Sequence, residues 1–201
     1  MKTIARAVEN KIIINKSIFI TYLIPIQNEE EAKEKINNIK KIHPKARHHC
    51  SAYRLLNIDR SNDDNEPAST AGLPMLSVLI GNDIINVLAV VVRYFGGVLL
   101  GKGGLIRAYS NSVTESLKIA EILEETKIFF YRVNVPFNIM SYIENKLPIN
   151  CRIIKREYDH NAAYVIETTN QQLLEQFLID GGHLVDFKFL NSEIKFIKKQ
   201  G

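Results

Sequence analysis

The 201-residue chain holds two cysteines, Cys50 and Cys151, and neither has a partner at motif spacing. That excludes a disulfide framework and the paired-cysteine zinc sites. The longest stretch without Asp, Glu, Lys or Arg runs only from Pro67 to Asn82 and contains Pro, Gly, Ser and Thr. No segment reads as the roughly 20-residue apolar helix that a bilayer crossing needs. The N-terminal MKTIARAVENKIIINKSIFITYLIPI is interrupted by Lys11 and Lys16 and has no small-residue cleavage site, so it does not read as a secretory signal. A reducing, cytoplasmic compartment without membrane contact is the expectation. No internal repeat occurs at a fixed period, and no half of the chain is a polyelectrolyte arm. The net charge is +4, from 26 basic and 22 acidic residues. One further absence is local: no acidic residue lies between Asp83 and Glu115, where Arg93, Lys102 and Arg107 all fall. That makes a cationic segment inside a nearly balanced chain.

What is present is ordinary globular usage, with 46% hydrophobic and 24% charged residues, in a length that suits two compact units. Ile12–Ile26 is rich in Ile, Phe and Tyr with period-two character and predicts a strand pair. Asn28 and three glutamates then cap a helix carrying Ala32, Ile36 and Ile39, which His43-Pro44 stops. Cys50–Leu56 predicts a strand, and the polar NIDRSNDDNEPASTA (Asn57–Ala71) a long surface loop. Leu73–Ile80 predicts a short helix, and IINVLAVVV (Ile84–Val92) a central strand buried on both faces. The glycine loop RYFGGVLLGKGG follows, and then a helix from Leu105 to Leu123.

The second half predicts strand Ile128–Phe137, helix Met140–Leu147, strands Arg152–Tyr158 and Ala163–Thr169, helix Gln171–Ile179 and strand Leu184–Ile197. That order, β-α-β-β-α-β, is the ferredoxin-like pattern. The charged patch Glu124–Lys127 sets the expected division into residues 1–126 and 127–201, and the fold class is α+β with two domains.

Three clusters carry candidate chemistry. Gly96, Gly97, Gly101 and Lys102 match the first seven positions of a phosphate-binding G-x-x-x-x-G-K-[ST] loop, but Gly103 replaces the hydroxyl that would hold Mg²⁺. Four glycines around one lysine, with Gly104 closing the run and Arg93 and Arg107 flanking it, still suit an anion such as a nucleic-acid backbone. Asp63, Asp64 and Glu66 form an acidic loop, which reads as solvated and capping, as a partner for the cationic loop, or as a divalent-metal site or acid/base pair. His48 and Cys50, two residues apart, share a strand face and could act with Asp63, Asp64 or Glu66 in a zinc-like or cysteine-nucleophile arrangement. No metal and no cofactor is expected. The spacing leaves open whether the acidic and glycine loops meet.

These clusters sit in an unusual string. DDNEPASTAG (Asp63–Gly72), NVLAVVVRYFGGVLLGKGGLIRAY (Asn86–Tyr109), FITYLIPI and His48-His49-Cys50-Ser51-Ala52-Tyr53 resemble the YigZ/IMPACT family. The motif loop is then Asp63, Asp64, Glu66, Pro67, Thr70, Ala71 and Gly72. The resemblance implies an N-terminal domain like the second domain of a small-subunit ribosomal protein, with a βαβ-based fold. It also implies a ferredoxin-like C-terminal domain similar to one in elongation factor G. The family usually has Gly in place of Asn65, Arg in place of Ile18, and a small residue or Thr in place of Lys102. Its eukaryotic members look like translational regulators.

The leading expectation is a non-enzymatic cytoplasmic module that binds RNA, the ribosome or translation factors. Arg93, Lys102, Arg107 and the Gly96–Gly104 backbone would meet phosphates, and Tyr94 or Tyr109 would stack on a base. The rival is an enzyme acting on a phosphorylated small molecule or nucleotide, with Asp64 or Glu66 as metal ligand or base and the glycine loop as the phosphate or oxyanion cradle. A third reading is a protein–protein adaptor.

Overall fold

The strand β6 (Val87–Tyr94, VLAVVVRY) is buried at every position from Val87 to Arg93, so it needs cover on both faces. In the computed structural model, which describes residues 1–180 and 185–198, helices provide both covers. Val87, Ala89 and Val91 pack with Met75 and Leu79 of α2 (Gly72–Gly81) and with Leu105, Tyr109 and Val113 of α3 (Gly101–Ile119). Leu88, Val90 and Val92 pack with Ala32 and Ile39 of α1 (Glu29–Ile42). The period-two alternation of a strand thus divides one apolar run between two cores.

Around β6 the sheet runs β2 (Val8–Ile14), β3 (Ser17–Pro25), β6, β4 (His48–Leu55), β5 (Ile58–Asn62), with every neighbouring pair antiparallel. Asn15 and Lys16, at φ 45° and 65°, close the β2–β3 hairpin, and both stand in the left-handed conformation that two-residue hairpin turns require. Asn28 caps α1 by accepting from the Glu31 N–H at 2.8 Å, and Glu29, Glu30 and Glu31 fill the first turn.

The expected long loop Asn57–Ala71 is corrected here. Its first part forms the edge strand β5, whose residues IDRSN are almost wholly exposed. An edge strand needs no apolar alternation, so composition hid it.

The second unit contains the greater part of β7 (Ile122–Val135), from Glu125 onward, with α4 (Met140–Lys146), β8 (Cys151–Tyr158), β9 (Ala162–Thr168), α5 (Gln171–Asp180) and β10 (Asp186–Ile197). Its strands are ordered β8–β9–β7–β10, the ferredoxin-like arrangement, with a core of Tyr131, Val133, Tyr164, Ile166, Ile143, Leu174 and Leu178. Burial, reinforced by a hydrogen bond to Glu144, pushes the Tyr164 hydroxyl up to about 12. The Leu184 start expected for the last strand lies outside the described residues. The class is α+β.

The units divide into Met1–Glu124 and Glu125–Ile197. Two expectations at this point are corrected. The long helix ends at Ile119 rather than Leu123, and the Glu124–Lys127 patch lies inside β7, which begins at Ile122. The cause is a strand that the sequence concealed: β1 (Lys2–Ile4) pairs antiparallel with Ile122–Glu124 and satisfies their backbone. Among the described residues no helix is long and apolar enough to cross a membrane.

The core assignment has a direct check. Leu79, fully buried between α2 and the sheet, is expected to lose about 2–5 kcal/mol of unfolding free energy as Leu79→Ala, seen as a lower urea midpoint. Leu56→Ala, at a position 64% exposed, is expected to leave the midpoint near that of the wild type.

Candidate functional site

The acidic loop meets the two elements that flank the glycine segment, β6 and α3, and it meets them through one carboxylate. Glu66 is buried, and its Oε1 accepts from Arg93 Nη1 at 2.6 Å and from the Tyr109 hydroxyl at 2.8 Å. His48 Nε2 lies 3.8 Å from the same oxygen. Arg93 comes from the end of β6, Tyr109 from the third turn of α3, and Glu66 from the loop between β5 and α2. One ion pair therefore ties together strand, helix and loop.

This corrects the expected role of Arg93. At 6% exposure, with its guanidinium over the rings of Phe19 and Phe95, it is an internal counter-ion for Glu66 and not a surface phosphate ligand. Its Nε is fully buried and has no hydrogen-bond partner. Tyr109 is corrected too. It is wholly buried, edge-on to Phe19, so no base can stack on it. Tyr94 is half-buried, and its hydroxyl bonds His43 Nδ1 at 2.9 Å while His43 Nε2 bonds Tyr22 at 2.8 Å. Burial lowers the His43 pKa, which suits a neutral ring shared between two tyrosines.

The other carboxylates are engaged as well. Asp63 Oδ1 accepts from the Ala71 and Gly72 N–H groups at 2.9 and 2.8 Å, and its Oδ2 accepts from Ser69 N at 2.8 Å. It caps α2, whose own N-cap residue, Ala71, offers no side-chain oxygen. Gly72 is required by packing: a Cβ there would lie 2.6 Å from the Asn62 nitrogen. Thr70 donates to the Pro67 carbonyl at 2.6 Å and tightens the same turn. Asp64 accepts from the His49 N–H at 2.7 Å and pairs with Lys40 at 3.0 Å. Burial alone would raise its carboxyl, but the His49 N–H and the Lys40 ammonium outweigh burial and hold it below the ordinary value. The motif loop is thus an assembly of caps and pairs.

His48 and Cys50 do share a face with this loop. His48 Nδ1 bonds the Asp64 carbonyl at 2.9 Å, and Cys50 Sγ lies 3.0 Å from the Asp63 carbonyl and 3.3 Å from the Tyr109 hydroxyl. Burial pushes the Cys50 thiol well up, which opposes the thiolate that a nucleophile needs. Among the described residues no group of three His, Cys, Asp or Glu side chains could hold a metal ion.

The glycine segment also departs from expectation. Gly101 opens α3, so Lys102, Gly103 and Gly104 form its first turn rather than a loop. Gly97 and Gly101 stand at φ 85° and 68°, with open space around each. Gly96 serves packing: its N–H donates to Ser17 Oγ at 3.1 Å, and a Cβ would fall 2.0 Å from the Lys16 carbonyl carbon. Lys102 and Arg107 are exposed. So are two residues missed in the sequence, Phe95 and Arg47, the latter 6.0 Å from the Phe95 ring centroid. Phe95 lies within the glycine segment RYFGGVLLGKGG, where the glycines and cations carry the sequence signal and the ring goes unremarked.

A two-unit α+β protein whose N-terminal sheet, helix α3 and acidic loop are tied by a buried carboxylate–guanidinium pair is the class that these features define. Residues 15–117 match the Impact N-terminal domain, and the chain belongs to the IMPACT family. It is 41% identical over 166 residues to the IMPACT family member YvyE of Bacillus subtilis, covering 81% of this chain and 76% of that protein. It is 39% identical over 151 residues to the IMPACT family member YigZ of Escherichia coli, covering 72% and 74%. A crystal structure of a hypothetical protein superposes with a TM-score of 0.60 at 29% identity, covering 99% of this chain and 97% of that one.

Two outcomes check the pair and the cap. Glu66→Gln leaves a buried guanidinium without its counter-ion and is expected to cost about 3–5 kcal/mol in chemical denaturation. The depressed Asp64 carboxyl stabilises the fold above its ordinary value of 3.8, and that contribution is lost as pH falls through the lower folded value. Asp64→Asn is therefore expected to flatten the acid limb of a Tm-against-pH curve relative to the wild type.

Proposed function

We propose that this chain is a non-enzymatic module of the translation machinery that binds RNA phosphates at the start of α3. The observation that carries the reading is the reversed charge of that helix end. Acids stabilise a helix N-terminus and cations destabilise it. In this unit α1 begins with three glutamates and α2 is capped by Asp63. By contrast, α3 has no acid in its first turn and no side-chain cap, and carries Lys102 there. Arg107 folds back over the same turn, so that a Cβ at Gly103 would lie 3.5 Å from its Nη1. Lys16, Arg47, Lys102 and Arg107 are exposed and unpaired among the described residues. Such an arrangement works against the isolated helix and suits a polyanion, with the first-turn N–H groups as further donors.

The family resemblance supports the setting, since its eukaryotic members look like translational regulators. The enzymatic rival loses support because Asp63, Asp64 and Glu66 are each committed to a cap or an ion pair. A protein–protein adaptor would not need the salt-sensitive contacts that this surface offers.

The test is RNA and ribosome binding by fluorescence anisotropy across a salt series. Wild-type affinity is expected to fall steeply with salt, and Lys102→Ala/Arg107→Ala to weaken binding and reduce the log–log salt slope by about 1–2. Affinity that is absent, or that has no salt slope, overturns the reading.

A further inference from the structure

We infer that Phe95 is a stacking platform for an unpaired base, which makes the RNA partner single-stranded at this site; this rests on the phosphate-binding reading above. Within residues 1–124, all of which are described, Phe95 is the only aromatic ring classed as exposed, at 42%. What sets this ring apart from the other exposed apolar side chains is its surroundings, with the guanidinium groups of Arg93 and Arg47 both within 6.0 Å of its centroid.

The ring is held in place from below. The Arg93 guanidinium lies 5.7 Å from its centroid, and Arg93 is itself pinned by Glu66 at 2.6 Å. The next residue, Gly96, is anchored to Ser17 by a 3.1 Å hydrogen bond and packs so closely on the β2–β3 turn that no side chain fits. Phe95 therefore emerges between two fixed points and orders at little further entropic cost on binding. The guanidinium of the exposed Arg47 already lies over the ring, 6.0 Å from its centroid, and its flexible side chain must give way to a base, which it then meets as a cation. Six residues along the chain from that ring, Gly101 opens the cationic turn of α3 with Lys102 and, folded back, Arg107.

An aromatic face beside backbone-binding cations is the combination that grips single-stranded nucleic acid, because every base has a π-face and stacking tolerates any sequence. A paired base keeps its faces inside the duplex and has none to offer. The arrangement also gives the Glu66 motif a reason beyond stability: Glu66 acts on the ligand only through Arg93 and the ring above it, as a positioning residue.

The experiment compares a short unstructured oligouridine with a blunt RNA duplex, titrated against wild type, Phe95→Ala, Phe95→Trp and Lys102→Ala/Arg107→Ala, each first shown by its thermal transition to be folded. Phe95→Ala is expected to weaken oligouridine binding by about tenfold while leaving the salt slope and duplex binding unchanged, with Phe95→Trp restoring affinity. If Phe95→Ala binds oligouridine like the wild type while the double cation variant weakens both RNAs, stacking is wrong and the phosphate reading stands. Equal loss on single strand and duplex overturns the single-strand assignment. If the wild type binds neither RNA at low salt, the phosphate reading fails together with this one, and a protein ligand takes its place.

Discussion

Glu66 and Arg93 form a buried ion pair that leaves no side free of structural consequence. The carboxylate also receives the Tyr109 hydroxyl, so α3 is fixed to the end of β6 and to the loop preceding α2 through one oxygen atom. A buried charge pair is weak evidence for net stability, since desolvation offsets most of the attraction. Its value here is geometric: removing either partner strands the other in an apolar site, so the three elements have one permitted arrangement. Cys50 and His48 fill the remaining space around it and contribute contacts rather than reactivity.

The pair also decides which charges face solvent. With Arg93 withdrawn and the three loop carboxylates occupied, the acid-free segment presents only Lys102 and Arg107 from its own cations, joined by Lys16 and Arg47 from the hairpin turn and the segment before β4. A chain with a net charge of +4 thereby keeps these four cations exposed to solvent. The glycines divide into two kinds. Gly72 and Gly96 make room for neighbouring backbone, whereas Gly97 and Gly101 have open space and permit turns.

Much of this was readable in the residues. The apolar run of β6, the capped α1 and the β-α-β-β-α-β order of the second unit carry strong local signals: a period, a cap, a turn. What escaped was set by partners distant in the chain. β5 is polar because it is an edge, β1 is only three residues long, and the charged start of β7 is a strand because β1 pairs with it. The same limit applies to the site. Charge and spacing singled out Arg93 and Tyr109, but whether a cation faces a ligand or a carboxylate depends on what stands opposite it in space. The sequence offers the acidic loop as a partner for the cationic segment without saying which acid meets which cation, and Phe95 lies in the glycine segment, where the glycines and cations carry the signal.

The bonds that shape the Phe95 loop join residues far apart in the chain: Glu66 to Arg93 across 27 positions, Glu66 to Tyr109 across 43, and Gly96 to Ser17 across 79. Closing such separations costs chain entropy before any contact repays it. During synthesis from the N-terminus, the hairpin and the acidic loop emerge well before α3 and wait for it. The loop therefore has its working shape only once the whole N-terminal unit has assembled, and a nascent or partly unfolded chain presents the same cations with no fixed ring between them.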